Sequence, residues 1–236
     1  MNKKLVAAIS IISAQLIYAG GDIAPVEPVV DTPAAIGETS YNVALKAGTL
    51  GLGLDISHMY TENFGLRLNI NGLQYNDNRD VSGINYDTDL KLFTAGLLAD
   101  YYPLENNFRV SAGVYYNDNH ADGTYTPDGT FSFGNNTYTA SDIGQVDAGV
   151  YYDNEIAPYI GIGWGDRTNS KGWHFTIDAG AMYQGSTQVY ANATVKNPLL
   201  EEQIKQDIEV ERLQIEDDIK DYTWYPVFMI GFIYNF

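Results

Sequence analysis

The chain has no cysteine, which excludes both a disulfide framework and a thiolate metal site. It is short of positive charge, with 13 Lys and Arg against 30 Asp and Glu and a formal net charge of −17. Nothing in that balance offsets phosphate repulsion, so nucleic acid is excluded as a partner. Histidine occurs three times, at His58, His120 and His174. No GxSxG, HExxH or phosphate-cradling glycine loop is present, and in "GTLGLGLD" the glycines simply alternate with leucines. His120 lies between Asp118 and Asp122 in "NDNHADG", where a cation site or a hydrolytic dyad is conceivable, but Asn/Asp-rich loops are ordinarily turns. No catalytic residue, cofactor or metal is therefore expected, and the chain does not read as an enzyme.

Long apolar runs are also missing beyond the N-terminus. No later stretch reaches the roughly 18 apolar residues of a spanning helix. A membrane β-barrel is not excluded by this, because its strands need only about 10 residues of alternating polarity.

What the chain does have is glycine (23) and tyrosine (19), with Asn and Thr, a composition that reads as β-rich. Lys3 and Lys4 followed by "LVAAISIISAQLIYA" form the charged and apolar regions of a secretory signal, expected over residues 1–19 with cleavage after Ala19. As a membrane anchor the run is short and is interrupted by Ser10, Ser13 and Gln15. Residues 20–40 carry Pro25, Pro28 and Pro33 without any period and read as an extended periplasmic linker. The barrel is expected over 41–236.

From Tyr41 onward, segments of period 2 recur. Leu50, Leu52, Leu54, Ile56 and Tyr60 share one face against Gly51, Gly53, Asp55 and Ser57. Phe64, Leu66, Leu68 and Ile70 oppose Arg67 and Asn69. Further segments follow in "KLFTAGLLADYY", "FRVSAGVYY", "IAPYIGIGW" and "WHFTIDAGAMY", and the chain ends on "YPVFMIGFIYNF". Each pairs a large apolar face with a small or polar one.

The links between segments decide which face is outside. Short links at 61–63, 103–107 and 166–172 alternate with long ones near 77–87, 118–155 and 185–221, the pattern of an outer-membrane barrel. Tyr60, Phe64, Tyr101, Tyr102, Phe108, Trp164, Trp173 and Phe236 border the short-turn side, where an interfacial girdle belongs. A soluble lipocalin-like barrel would need its apolar face inside. Clear segments from Leu50 onward number seven, and an even count is required. "YNVALKA" (41–47) supplies an eighth if a tight hairpin lies at Gly48–Thr49, where the apolar phase slips. The competing account is a bulge there, with a strand inside 141–153 completing the set.

The fold expected is thus all-β: an eight-stranded antiparallel transmembrane barrel with long extracellular loops and one short loop helix. That helix falls in 198–220, where Leu200, Ile204, Ile208, Ile215 and Ile219 recur at helical intervals behind Pro198. Packing on a loop or the barrel rim is the first reading, and partner binding the second.

Barrel geometry turns Asp55, Arg67, Asp100, Arg109 and Asp178 inward, with His174 nearby. An eight-stranded interior is just wide enough for side chains to fill, so these charges form either a paired plug or a polar solute path. Two Arg against three Asp leave a slight acidic excess. At the end of the chain Phe228, Ile230, Phe232 and Tyr234 are expected to face lipid, and Val227, Met229, Ile233 and Asn235 the lumen. Phe232, Tyr234 and Phe236 make up a terminal aromatic strand similar to the signal read by barrel-assembly machinery.

"KAGTLGLGLD", "GLRLNINGLQY", "NEIAPYIGIGW", "WHFTIDAGAMYQG" and "YTWYPVFMIGF" together resemble the CarO-type outer-membrane proteins, the ornithine-uptake and carbapenem-susceptibility porins. The resemblance spans Tyr41 to Phe236, mainly in strands, and departs from the family in the loops at 77–87 and 118–155. It implies a small barrel in the outer membrane of a Gram-negative bacterium, with passive uptake of small polar solutes such as basic amino acids. Partners implied are outer-membrane lipid, the barrel-assembly machinery and small polar solutes, with the protein monomeric. A non-conducting structural or surface-interaction barrel is the alternative.

Overall fold

The computed structural model describes residues 41–81, 84–127, 129–134, 136–165 and 171–236. The expected signal (1–19) and linker (20–40) lie outside the described residues.

Eight antiparallel strands close into a barrel. They are β1 (Tyr41–Gly48), β2 (Gly51–Thr61), β3 (Phe64–Val81), β4 (Ile84–Tyr101), β5 (Phe108–Asn117), β10 (Ile156–Trp164), β11 (Gly172–Tyr183) and β13 (Trp224–Asn235). Each pairs with the next in that order, and β1 pairs with β13 to close the ring. Asn42 opposite Asn235 sets both ends of the wall at the same rim.

The tight hairpin is the eighth-strand solution. Gly48 pairs with Gly51 across Thr49 and Leu50. Gly51 has φ of 91°, a left-handed conformation that glycine alone adopts without strain. The strand inside 141–153 also exists, as β9 (Ile143–Tyr152), but it is not part of the wall. Leu50 departs from the outward face expected of it. As a turn residue it escapes the strand alternation, and it is buried to 1% inside the barrel mouth.

Alternation along the wall orients the rest. Leu52, Leu68 and Phe232 are 67%, 57% and 59% exposed, while Asp55, Arg67 and Ile233 beside them in phase are buried. A continuous exposed belt of Leu, Ile and Phe has no place in water; it is the lipid-facing surface of a barrel. Phe228 and Phe232 face out, and Val227, Met229, Ile233 and Asn235 face in, as the terminal pattern requires. At the short-turn rim Tyr60, Phe64, Tyr101, Trp164, Trp173 and Phe236 are exposed. Tyr102 is not a girdle residue: it leaves the strand after Tyr101, its N–H donates to Asn63 O at 3.0 Å, and it is 1% exposed.

The long connections hold more order than loops. Residues 77–87 include the outer ends of β3 and β4, paired up to Val81–Ile84. Above the wall, β6 (His120–Thr126), β9 and β12 (Thr187–Val195) continue the same sheet sideways from the outer half of β4, in the order β4-β6-β9-β12. A hairpin of β7 (Thr130–Phe133) and β8 (Asn136–Thr139) and the 19-residue helix α1 (Glu201–Ile219) complete this lid. Phe133, Tyr138, Ile143, Val146, Ile204 and Ile208 form its core, so the isoleucine periodicity of 198–220 is that of a packed helix. Arg212 fastens it by donating to Val189 O at 3.0 Å, and the helix contacts β12, the edge of the lid sheet. An edge so covered is protected from pairing with other chains.

Candidate functional site

The five charged residues singled out in the sequence converge at one level of the lumen, and a sixth joins them. Their side chains are between 0 and 5% accessible. Arg67 on β3 is central. Its Nε and Nη2 donate to the two oxygens of Asp100 on β4 at 2.9 and 3.0 Å, a bidentate fork of the strong kind. Its Nη1 reaches Asp55 on β2 at 3.1 Å and Asp178 on β11 at 3.2 Å. Arg109 on β5 donates through Nη2 to Asp178 and holds its Nε 3.8 Å from Asp100. Lys46 on β1 is the residue that sequence reasoning missed. Its Nζ lies 2.5 Å from Asp55 and 2.6 Å from Asp178.

Three cations therefore meet three carboxylates, and the acidic excess expected from the two Arg and three Asp is absent. The signal for Lys46 was in the sequence: in "YNVALKA" it stands opposite the phase of Val43, Leu45 and Ala47. Neutral groups complete the network. Ser111 donates to Asp100 at 2.5 Å and accepts from Arg67 at 3.2 Å. Asn69 donates to Asp55, and Asn71 donates to Thr94 at 2.8 Å. Charges this deep are tolerable only because pairing and hydrogen bonds replace their lost hydration.

Toward the long-loop end the polar layer gives way to an apolar one. Leu50, Leu98, Tyr115, Ala157, Tyr159, Met182, Tyr225, Val227 and Met229 form a buried cluster. Tyr115 and Tyr159 meet edge to face at 5.4 Å, and Tyr225 donates its hydroxyl to Thr49 O at 2.5 Å, tying the β1–β2 hairpin over the mouth. The lumen-facing glycines make this filling possible. A Cβ on Gly163 would stand 2.6 Å from Arg109 Cζ, and one on Gly96 would stand 2.5 Å from Tyr115 Cε1.

The other candidates are dispersed. His174 faces inward opposite Ile233, half-buried. His58 faces outward in the girdle, stacked on Tyr41 at 4.3 Å and edge-on to Tyr60 at 4.6 Å. His120 sits on β6 in the lid, 3.5 Å from Asp118 and 3.9 Å from Asp122. Among the described residues no group of three or more His, Asp or Glu side chains is arranged to hold a metal ion. Phe232, Tyr234 and Phe236 lie together near the short-turn rim, Phe232 against Phe175 at 6.2 Å and Tyr234 between Trp173 at 5.3 Å and Phe236 at 4.9 Å. In the lid, burial and the Asp207 carboxylate raise the phenol of Tyr138, and burial and Asp122 raise that of Tyr190. Both hydroxyls therefore stay protonated and act as donors.

No family model matches the chain, and no curated protein matches it. Solved structures do. A crystal structure of Acinetobacter baumannii CarO2 superposes with a TM-score of 0.57 and 25% identity, covering 85% of this chain and all of that one. Acinetobacter baumannii CarO matches with a TM-score of 0.54 and 25% identity over 83% of this chain and 97% of that one. Together with a closed eight-stranded wall and its lipid-facing belt, these matches support an outer-membrane β-barrel similar to the CarO structures.

Proposed function

We propose that this protein is a closed, non-conducting outer-membrane barrel of a Gram-negative bacterium, with its lid presented to the outside as the working surface. The observation that carries this reading is the filled lumen: six neutralising charges at 0–5% accessibility under a buried apolar cluster. Ion passage would require breaking pairs that lack a hydrated alternative, a cost of several kcal/mol. No enzymatic step is part of the proposal.

A second reading is a small porin-like channel for passive uptake of small polar and cationic solutes, basic amino acids among them. The likeness to the CarO structures favours it, as does an interior that is charged rather than wholly apolar at mid-height. Solute flux separates the two. Liposomes carrying the refolded protein should take up labelled lysine no faster than protein-free liposomes. Saturable uptake that falls in a Lys46→Met or Asp178→Asn variant would favour the channel.

A further inference from the structure

The lid portion of the sheet has two edges, and α1 covers only one. At that edge Arg212 donates to Val189 O, and Val189 N–H donates to Glu216. The other edge is the outer half of β3. β4 pairs with β3 along its whole length, from Phe64 opposite Tyr101 to Val81 opposite Ile84. β2 pairs with it only from Phe64 to Gly72, where the tight hairpin turns the chain back. Beyond Gly72, among the described residues, no strand lies on that side. Leu73, Gln74, Tyr75, Asn76 and Asn78 are exposed there, and the pairing with β4 runs through them without a bulge. Edges of this kind are ordinarily shortened, bulged or charged, because their unpaired N–H and C=O groups template another strand. From Leu73 to Asn78, about 20 Å of strand, the one charged residue is Asp77.

The side chains along this edge define what fits it. Leu73 and Tyr75 stand opposite Leu92 and Leu90 on one face, beside the buried patch of Leu90, Leu92 and Ala121. They are themselves 37% and 45% exposed. Gln74, Asn76 and Asn78 occupy the other face, opposite Lys91, Asp89 and Asp87. Lys91 is engaged by Asp118 at 2.9 Å. Among the described residues, no hydrogen bond or ion pair reaches the exposed Asp87. A strand laid against this edge therefore meets apolar surface on one face and uncompensated negative charge on the other. A second copy of the same edge would bring Asp77, Asp87 and Asp89 against their equals, and like charges across a strand pair are destabilising.

We infer that Leu73–Asn78 docks an extended segment of a partner protein, in which apolar residues alternate with arginine, as an added strand of the lid sheet. Main-chain hydrogen bonds to β3 supply the affinity, and alternate side chains supply the selectivity. The apolar side chains continue the row of Leu73 and Tyr75. The guanidinium groups extend over Asn76 and Asn78 toward Asp87, roughly 10 Å away across two strand spacings, a span that suits the length and planar fork of arginine. This inference rests on the lid being the working surface, but its test reads peptide binding and not conductance, so the two fail separately.

The test follows the fluorescence anisotropy of a labelled, capped octapeptide of alternating arginine and valine as refolded full-length protein is added in a non-ionic detergent. Saturable binding is expected. A peptide of the same composition with its arginines in one block should bind at least about tenfold more weakly, since it cannot present an apolar and a charged face together. N-methylation of every arginine amide, or of every valine amide, gives two further probes. Successive N–H groups of a strand point to opposite edges, so one of these peptides should lose binding at least about tenfold and the other keep it. Asp87→Asn should weaken binding several-fold, whereas Asp218→Asn, which removes one exposed charge from α1, should leave it unchanged. Free arginine at the same total arginine concentration should leave the peptide bound. Absence of saturable binding, equal binding by the two N-methylated peptides, equal losses in the two Asp variants, or displacement by free arginine would overturn the inference.

Discussion

Arg67 is the residue on which the interior turns, because it contacts Asp55, Asp100 and Asp178 together. Replacing it by Met should destabilise the barrel by about 3–5 kcal/mol, since three carboxylates would remain with two cations in a buried site. A urea titration in lipid vesicles, read by loss of heat-modified migration, measures this. Lys205→Ala, which breaks an exposed pair on α1, should not move the same midpoint measurably. The glycines opposite the large side chains are equally exacting. Gly163→Ala should displace the Arg109 guanidinium from Asp178 and cost about 1–3 kcal/mol, the usual penalty of overpacking, in the same titration. At this scale most of the site was legible, because period-2 alternation assigns every polar residue on a strand to one face. Lys46 was overlooked although the same rule applies to it. Pairing partners were beyond the reach of sequence, since Arg67 and Asp178 stand 111 positions apart and only barrel closure brings them together.

Among the elements, the β1–β2 hairpin and α1 announced themselves and the lid strands did not. A phase slip at Gly48–Thr49 and a glycine at a left-handed position mark the hairpin; isoleucines at helical spacing mark α1. Strands β6, β9 and β12 alternate Gly, Ala and Val with Asp, Thr and Asn, so their apolar face is made of small residues and leaves no bulky periodic signal. Propensity read β6 and β12 as loop and offered β9 only as an alternative wall strand, and lateral pairing that starts at the outer half of β4 overrides it. The lid also has an acid limit. Hydrogen bonds from Asn197 and Thr139 hold the Asp142 carboxyl below its ordinary value of 3.8. A lowered carboxylate stabilises the folded state fully above its unfolded pKa and loses that contribution as pH falls through its folded one. The Asp142 anchor should therefore be intact at neutral pH and release below about pH 4. Amide exchange of Lys196 and Asn197, whose N–H groups donate to Asp142 O, should accelerate there while the wall amides stay protected. Unchanged exchange in acid would show that Asp142 does not fasten the lid.

For the whole molecule, outward side chains support the outer-membrane location and inward ones the proposed sealed state. An exposed belt of Leu, Ile and Phe with an aromatic rim is a membrane surface. Phe236 ends that rim beside Tyr234. Its deletion is expected to lower the yield of heat-modifiable barrel in outer-membrane fractions several-fold, and normal assembly without it would contradict a role in recognition by the assembly machinery. The sealed lumen is the central claim. Single-channel recording on refolded protein in planar bilayers addresses it directly. The account predicts no discrete openings for the wild-type chain at either polarity. Regular openings, with a cation preference that falls when Asp55 and Asp178 are replaced by Asn, would contradict it.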